Sequence, residues 1–515
     1  MPGKYAKRKK FPLIPLLVAA AVIIALIAAA IFLLPGSKPT DTPPQTTQST
    51  TVATEATTVP PTTVPPTTAP TEPDLMIETS ATLTVTGDLL MHKPVFQSCW
   101  DAEAGDWIFD SIFTHVKPYI EKADYAVANL ETTLCGPDNG YAYSGNPLFN
   151  CPDGIALSAR DTGFDMLLTG NNHCYDTRMV GIRRTLNVVE ELGLATLGTQ
   201  RYKEDPDYTV VEVNGIKIGM TTYTFETHDG MPTVPSINAI QCHPSSIGMI
   251  NSFDYGQLEK FYEEIGAQFD GMREQGAEAI VVYIHWGEEY ELAPNDLQVK
   301  IAQQLCDMGV DVIVGGHPHV IQPADLLTST LDESHKTLII YSTGNAVSNQ
   351  RIHEMRLKTG HTEDGILFNF TFVRYVDGSV ALRSTDCVPT WVHMEGIQES
   401  YTILPLDYSQ KDNWPELFQI DEEIVNNCTA SYFRTMDLVE PGLTKAQQYL
   451  DEANAAKLEA LRNPPPPTEA PTEAPTEVPT EVPSETTEGA PEDATDAAQT
   501  ATEVPSQPTE PAPTE

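Results

Sequence analysis

Five short apolar, β-branched runs in this chain each end in Gly, Asn, Asp, Glu or His. They are TVTGDLLMH (84–92), VANLE (127–131), LLTGNNHCYD (167–176), VVYIHWGEEY (281–290) and VDVIVGGHPHVIQ (310–322). Runs of this kind predict buried strands of an open α/β sheet whose polar residues gather at the carboxyl ends. Helical spacing of apolar residues occurs in DWIFDSIFTHVKPYIEKA (106–123), near 254–275 and in DLQVKIAQQLCDMG (296–309). TRMVGIRRTLNVVEELG (177–193) predicts an amphipathic helix that stops at Gly193. YTVVEVNGIKIGMTTYTF (208–225) differs, with two β runs around Asn214-Gly215 that predict a hairpin with a tight primed turn. LIIYSTGNAVS (338–348) predicts a further buried strand with a polar corner, and residues 365–392 predict β segments turning at Asp377-Gly378. The expected fold class is α/β: two packed mixed β-sheets flanked by helices, in one domain over 75–405. Residues 406–462 are expected to form a helical appendage.

Both ends fall outside this pattern. Residues 1–10 carry Lys4, Lys7, Arg8, Lys9 and Lys10, and 11–34 are 24 uncharged, mostly apolar residues. A run of that length can cross a hydrocarbon core of roughly 30 Å. The basic flank keeps the N-terminus in the cytoplasm and places the rest outside the cell membrane, as a single-pass protein. A cleaved signal peptide is the alternative, with an apolar stretch usually about 7–15 residues long, and it exports the remainder equally. Residues 35–74 are Thr/Pro-rich and read as an extended stalk; 463–515 are an acidic Pro/Thr/Glu-rich disordered tail with no Lys or Arg. Between them, residues 75–462 hold 24 Lys and Arg against 56 Asp and Glu, a net charge of −32. That balance excludes nucleic acid as a partner, since its binding rests largely on phosphate neutralisation. A polyanionic substrate must then be held by metal ions and a few local cations. Of the eight cysteines, Cys99, Cys135 and Cys151 lie in loop-like segments where they could pair, while Cys174 and Cys306 read as small packing residues.

The strand-end residues are chemically coherent. Asp, Glu, Asn and several His on loops from different strands can hold two divalent metals around a water, a centre suited to hydrolysis. In GGHPHV, His317 and His319 can point around one corner at adjacent metals. Asp88 and Glu131 supply hard carboxylate oxygens, Glu131 as a candidate bridge; Asn172 supplies an amide oxygen and His285 completes the set. His173 is the candidate acid for a leaving group. Asp176, Glu288 and Glu289 can orient the ligands or be ordinary solvated carboxylates. Asn345 in STGN shapes the rim or fixes a turn.

The order GD…NLE…GNNH…HWG.EY…GGHPHV.Q…STGN resembles the CapA-type poly-γ-glutamate capsule biosynthesis proteins, within the calcineurin-like metallophosphoesterase superfamily. The match covers about 80–390. The resemblance implies a four-layer sandwich of the metallophosphoesterase type, with Asp88, Glu131, Asn172, His285, His317 and His319 as metal ligands and His173 as the acid. It implies two divalent metal ions (Mn, Fe, Zn or Co) and a role in capsule or cell-envelope polymer biosynthesis. Expected partners are an anionic envelope polymer such as poly-γ-glutamate and capsule-synthesis membrane proteins. The usual D-x-H of the wider superfamily reads Asp88-Leu89-Leu90 here, so one histidine ligand is missing; His92 is its candidate substitute or a structural residue. Two functions compete: a metal-dependent hydrolase, and a non-catalytic assembly or polymer-binding factor on the same fold.

Overall fold

The computed structural model describes residues 75–228, 234–396 and 400–464, all within one compact unit that begins at Thr71. The expected membrane span 11–34, the stalk 35–74 and, apart from Asn463 and Pro464, the acidic tail lie outside the described residues. No described helix is long and apolar enough to cross a membrane.

Two mixed sheets form the core. In the first, strands β1 (Ile77–Leu89), β2 (Tyr125–Asn129), β3 (Met166–Leu168) and β4 (Ala195–Leu197) run parallel in that order. The second contains β5 (Thr209–Val213), β6 (Ile216–Phe225), β7 (Ser252–Phe253), β8 (Ala279–His285), β9 (Val312–Gly316), β10 (Ile321–Thr328) and β11 (Lys336–Thr343). Its order is β7-β6-β8-β9-β11-β10, with β5 paired antiparallel to β6. The hairpin turn between β5 and β6 has Asn214 and Gly215 both at positive φ, 50° and 83°, as the primed turn requires. A short β12 (Asn345–Val347) returns to the first sheet beside β1, and β13 (Asp364–Tyr375), β14 (Val380–Glu395) and β15 (Ser400–Pro405) extend that sheet as an antiparallel meander on the same side of β1, opposite β2.

Alternation along each strand makes the layers. Leu83, Val85, Val127 and Met166 of the first sheet share one apolar cluster with Met220, Val281, Tyr283, Val312 and Ile340 of the second. The intervening residues face outward. Ala126, Ala128 and Leu167 pack against helix α1 (Gly154–Thr162) and its neighbours, and Ile280, Val282, Ile313 and Ile339 against helices α3 (Leu258–Glu274) and α4 (Asp296–Asp307). Helix α2 (Arg178–Glu191) lies between β3 and β4 in the chain and is followed by Gly193 at φ 85°. Helix α5 (Glu422–Arg462) begins at an Asp421 cap that accepts from Ile424 N at 3.0 Å. It brings Val439, Leu443 and Ala446 into the same cluster as the two sheets. Burial of Val- and Leu-sized side chains is worth about 1.5–3 kcal/mol each, so α5 is held by the common core.

Two elements depart from the sequence pattern. Residues 106–123 form no single helix; single turns at Asp110–Phe113 and Lys117–Ile120 replace it. Pro118 lacks an N–H and clashes with the preceding turn, which favours a new start there over continuation. The run 338–348 is likewise two strands in two sheets, β11 and β12, divided at Gly344 with φ 66°. Gly344 O accepts from Asp88 N at 3.0 Å, and a Cβ at Gly87 would collide with that carbonyl. The crossing therefore seats Asn345 beside Asp88 in register. The eight cysteines are all free thiols, so Cys99, Cys135 and Cys151 form no disulfide.

Candidate metal centre

Parallel strands end on one side, and both sheets deliver their polar residues there. Asp88 is the penultimate residue of β1, Glu131 follows β2, Asn172 and His173 follow β3, His285 ends β8, and His317 and His319 follow β9. All seven are buried. Ligand atoms of Asp88, Glu131 and His285 lie within 4.8 Å of one another, as do those of Glu131, His317 and His319. Glu131 belongs to both groups. Its Oε1 is 3.5 Å from His285 Nε2 and 3.8 Å from His319 Nε2, and Asn172 Oδ1 is 2.9 Å from His285 Nε2. His317 and His319 have positive φ, 95° and 55°. For residues other than Gly this backbone costs of the order of 1–3 kcal/mol and gathers at functional sites.

The residues around these groups hold them from behind. Asn129 Nδ2 donates to Asp88 Oδ1 at 2.7 Å, and Asn171 Nδ2 donates to Asn129 Oδ1 at 3.0 Å and to Leu130 O at 2.9 Å. His319 Nδ1 lies 3.2 Å from Asp88 Oδ2 and 3.1 Å from Asn345 Oδ1. His173 Nδ1 is 2.8 Å from Asp176 Oδ2, which also accepts from Phe149 N at 2.6 Å. Asn238 Nδ2 donates to Asp176 Oδ1 at 2.9 Å, and the Phe149 ring stands edge-on to His173 with centroids 4.5 Å apart. His92 also packs edge-on against Phe149, with centroids 5.3 Å apart, and its Nδ1 accepts from Asn349 N at 3.3 Å. Glu288 and Glu289 are exposed. Asn129, Asn171, Phe149 and Asn238 escaped the sequence reading. The first two sit inside the NLE and GNNH motifs and carried a signal; Asn238 carried none.

The electrostatics match a cation site. Glu131 is fully buried, and neither of its oxygens has a hydrogen-bond partner; His317 Nδ1 is equally bare. Burial and then the Asp88 charge push the Glu131 carboxyl well above the usual range. Burial opposes ionisation of Asp88 too, but His319, His285 and Asn129 together hold it below its ordinary value. Burial, with His285 and His319, drives His317 far below its ordinary value, and burial with His319 takes His285 to about 3. Neutral imidazoles, an ionised Asp88 and an unpartnered buried carboxylate are what a divalent metal requires of its ligands. The donor set therefore fits a metal ion.

These shifts carry a pH prediction. His92, lowered to about 4 by burial and then by His319, and His285 bind fewer protons folded than unfolded below the ordinary value of 6.5. Their contribution to stability is present above that value and is lost as pH falls through the folded ones. Asp311 and Asp364, pushed up to about 6 by burial, act in the opposite sense, so a variant must isolate the effect. Metal-free protein is expected to lose thermal stability between pH 7 and 4.5 more steeply than its His92→Gln variant. Parallel melting curves for the two would refute the assignment.

Residues 82–350 match the family model described as Bacterial capsule synthesis protein PGA_cap. The chain belongs to this family. PGA_cap lies within the metallophosphoesterase-like superfamily, and the matched stretch contains every residue of the two ligand groups. The chain is 28% identical over 272 residues to "Capsule biosynthesis protein CapA" of Bacillus anthracis, covering 52% of this chain and 60% of that protein. It is 27% identical over 267 residues to "PGA biosynthesis protein CapA" of Bacillus subtilis (strain 168), covering 51% and 62%. It thus spans about three fifths of the length of the curated relatives it matches. Beyond the PGA_cap match lie β13 to β15 and helix α5.

Proposed function

We propose that this chain is a membrane-anchored, extracellular metal-dependent hydrolase of capsule or cell-envelope polymer biosynthesis, with poly-γ-glutamate as the polymer its relatives' names suggest. The bare Glu131 carboxylate between two groups of buried ligands carries this reading. Asp88, Glu131, Asn172, His285, His317 and His319 would hold two divalent metals. The metals would lower the pKa of a bound water and neutralise charge developing on substrate oxygens. His173, oriented through Nδ1 by Asp176, keeps Nε2 to deliver a proton to the leaving group. The Phe149 ring packs against His173 on that side, with His92 against Phe149. Residues 11–34 would anchor the domain, and 35–74 would carry it away from the bilayer.

A second reading, a non-catalytic assembly or polymer-binding factor, is favoured by one feature. Where the superfamily's D-x-H would supply a histidine, Leu90 stands buried. The test is elemental analysis of the purified protein together with turnover of an activated aryl phosphodiester in added Mn²⁺. Two metals per chain and turnover abolished in the His317→Ala/His319→Ala variant are expected. One metal or none, without turnover, would establish the assembly factor instead.

A further inference from the structure

Asn345 links the metal centre to a part of the chain outside the matched family region. It is fully buried, and its Nδ2 faces three oxygens: His319 O at 3.2 Å, Gln350 Oε1 at 2.9 Å and Thr362 O at 3.1 Å. An amide held this way must turn Oδ1 towards His319 Nδ1, 3.1 Å away. With Asp88 Oδ2 on the same nitrogen, Nδ1 is the protonated position and Nε2 is left towards Glu131.

The acceptors of Asn345 are themselves fixed. Thr362 Oγ1 donates to Gln350 O at 2.6 Å, so the two chain segments that hold Asn345 are tied together. The next residue, Glu363, accepts from Ile352 N at 2.8 Å and from Trp391 Nε1 at 3.2 Å, and lies 3.3 Å from Arg351 Nε. The residue after that, Asp364, is buried and meets helix α5. Arg434 donates to both its oxygens, Nε to Oδ2 at 2.8 Å and Nη2 to Oδ1 at 2.7 Å, and Ser431 Oγ donates to Oδ1 at 2.6 Å. Three consecutive residues thus face the ligand corner, the adjoining loop and the C-terminal helix in turn. Thr362, Asp364, Ser431 and Arg434 all lie beyond residue 350, where the family match ends.

We propose that Arg434, on helix α5, is a positioning residue of the metal centre: it fixes Asp364 and with it Thr362 and Asn345, which set the tautomer and place of His319. The inference rests on the metal-centre reading. The other ion pairs of α5, Lys445 with Asp325, Arg383 with Asp451 and Lys457 with Asp377, are more exposed than Arg434 with Asp364 and lead to no ligand. They are the natural control. The bidentate fork on a buried carboxylate is also a geometry that lysine cannot reproduce.

The experiment compares full-length protein with its Arg434→Met, Arg434→Lys, Asp364→Asn and Lys445→Ala variants, reading Mn²⁺ affinity by calorimetry and the His319 imidazole nitrogens by NMR without metal. Loss of a partner behind a ligand typically weakens metal binding about 10–100-fold. Arg434→Met is expected to weaken Mn²⁺ binding about tenfold and to change the His319 nitrogen shifts. Arg434→Lys should recover only part of the loss, and Lys445→Ala should alter neither readout. Asp364→Asn, which keeps the shape of the site, replaces Arg434→Met if that variant does not fold, with the same expectation. Wild-type affinity and unchanged His319 shifts in these variants would overturn the proposal. Should the wild type bind no Mn²⁺, the metal-centre reading fails, and the imidazole shifts alone decide whether α5 positions His319.

Discussion

Glu131→Gln is expected to abolish metal binding and, at the same time, to raise the melting temperature of the metal-free protein at neutral pH. The two effects have one cause. Glu131 is common to both ligand groups and is the sole member with two bare oxygens among them. Its loss should exceed the roughly 10–100-fold effect of removing a partner behind a ligand. Without metal, the same carboxyl is a liability. An unsatisfied buried polar group costs about 1–3 kcal/mol, and burial with the Asp88 charge raises its folded pKa well above 4.5. For a raised carboxyl the sign is definite: its contribution is fully present below the unfolded value of 4.5 and is lost as pH rises. Glutamine removes that loss and adds an N–H that can donate to His319 Nε2, 3.8 Å from the present Glu131 Oε1. The variant should melt a few degrees above wild type at pH 7.5 in chelator, and the gap should close by pH 4.5. A full metal complement in the variant, or a lower midpoint at pH 7.5, would sink the argument.

The corners were legible because a buried parallel strand has a simple signature: an apolar run that stops at Gly, Asn or His. Five such stops, read without knowing which strands neighbour one another, converge in space because parallel strands all end on one side. The primed turn at Asn214-Gly215 was legible for a different reason, since few pairs of residues tolerate two positive φ angles. What the pattern concealed is tertiary. Nothing in LIIYSTGNAVS marks Gly344 as a crossing from one sheet to the other, because both halves are equally apolar. The apolar spacing of 106–123 is helical, yet Pro118 outweighs it. Asn238 reaches Asp176 from a distant loop, and Glu288, adjacent in sequence to a ligand strand, turns to solvent. Neighbourhood in sequence points to Asn129, Asn171 and Asp176 behind the ligands but not to Phe149 or Asn238; burial against a partner decides those, and sequence does not carry it. Helix α5 is the clearest instance, since an element read as an appendage shares the central core and meets Asp364 through Arg434.

His173→Ala is expected to separate binding from chemistry. The imidazole is buried and its Nδ1 is engaged by Asp176, whose oxygens also accept from Phe149 N and Asn238 Nδ2. A carboxylate so satisfied has little freedom to move, and it holds the ring with Nε2 as the one nitrogen left for proton delivery. His173 appears in neither ligand group, so its removal should leave metal content unchanged. A positioned acid contributes about 10²–10⁴-fold when the leaving group needs a proton. Turnover of an alkyl phosphodiester should therefore fall by about that factor, while an activated nitrophenyl ester, whose leaving group departs as the anion, should fall less than about tenfold. Asp176→Asn should shift the same ratio in the same direction, because an amide in place of two accepting oxygens no longer holds the Nδ1–H tautomer or stabilises the imidazolium. Kinetics on the two esters, with metal analysis of each sample, decide the matter. Equal losses on both substrates would make His173 a structural wall beside Phe149, and loss of metal in the variant would make it a ligand.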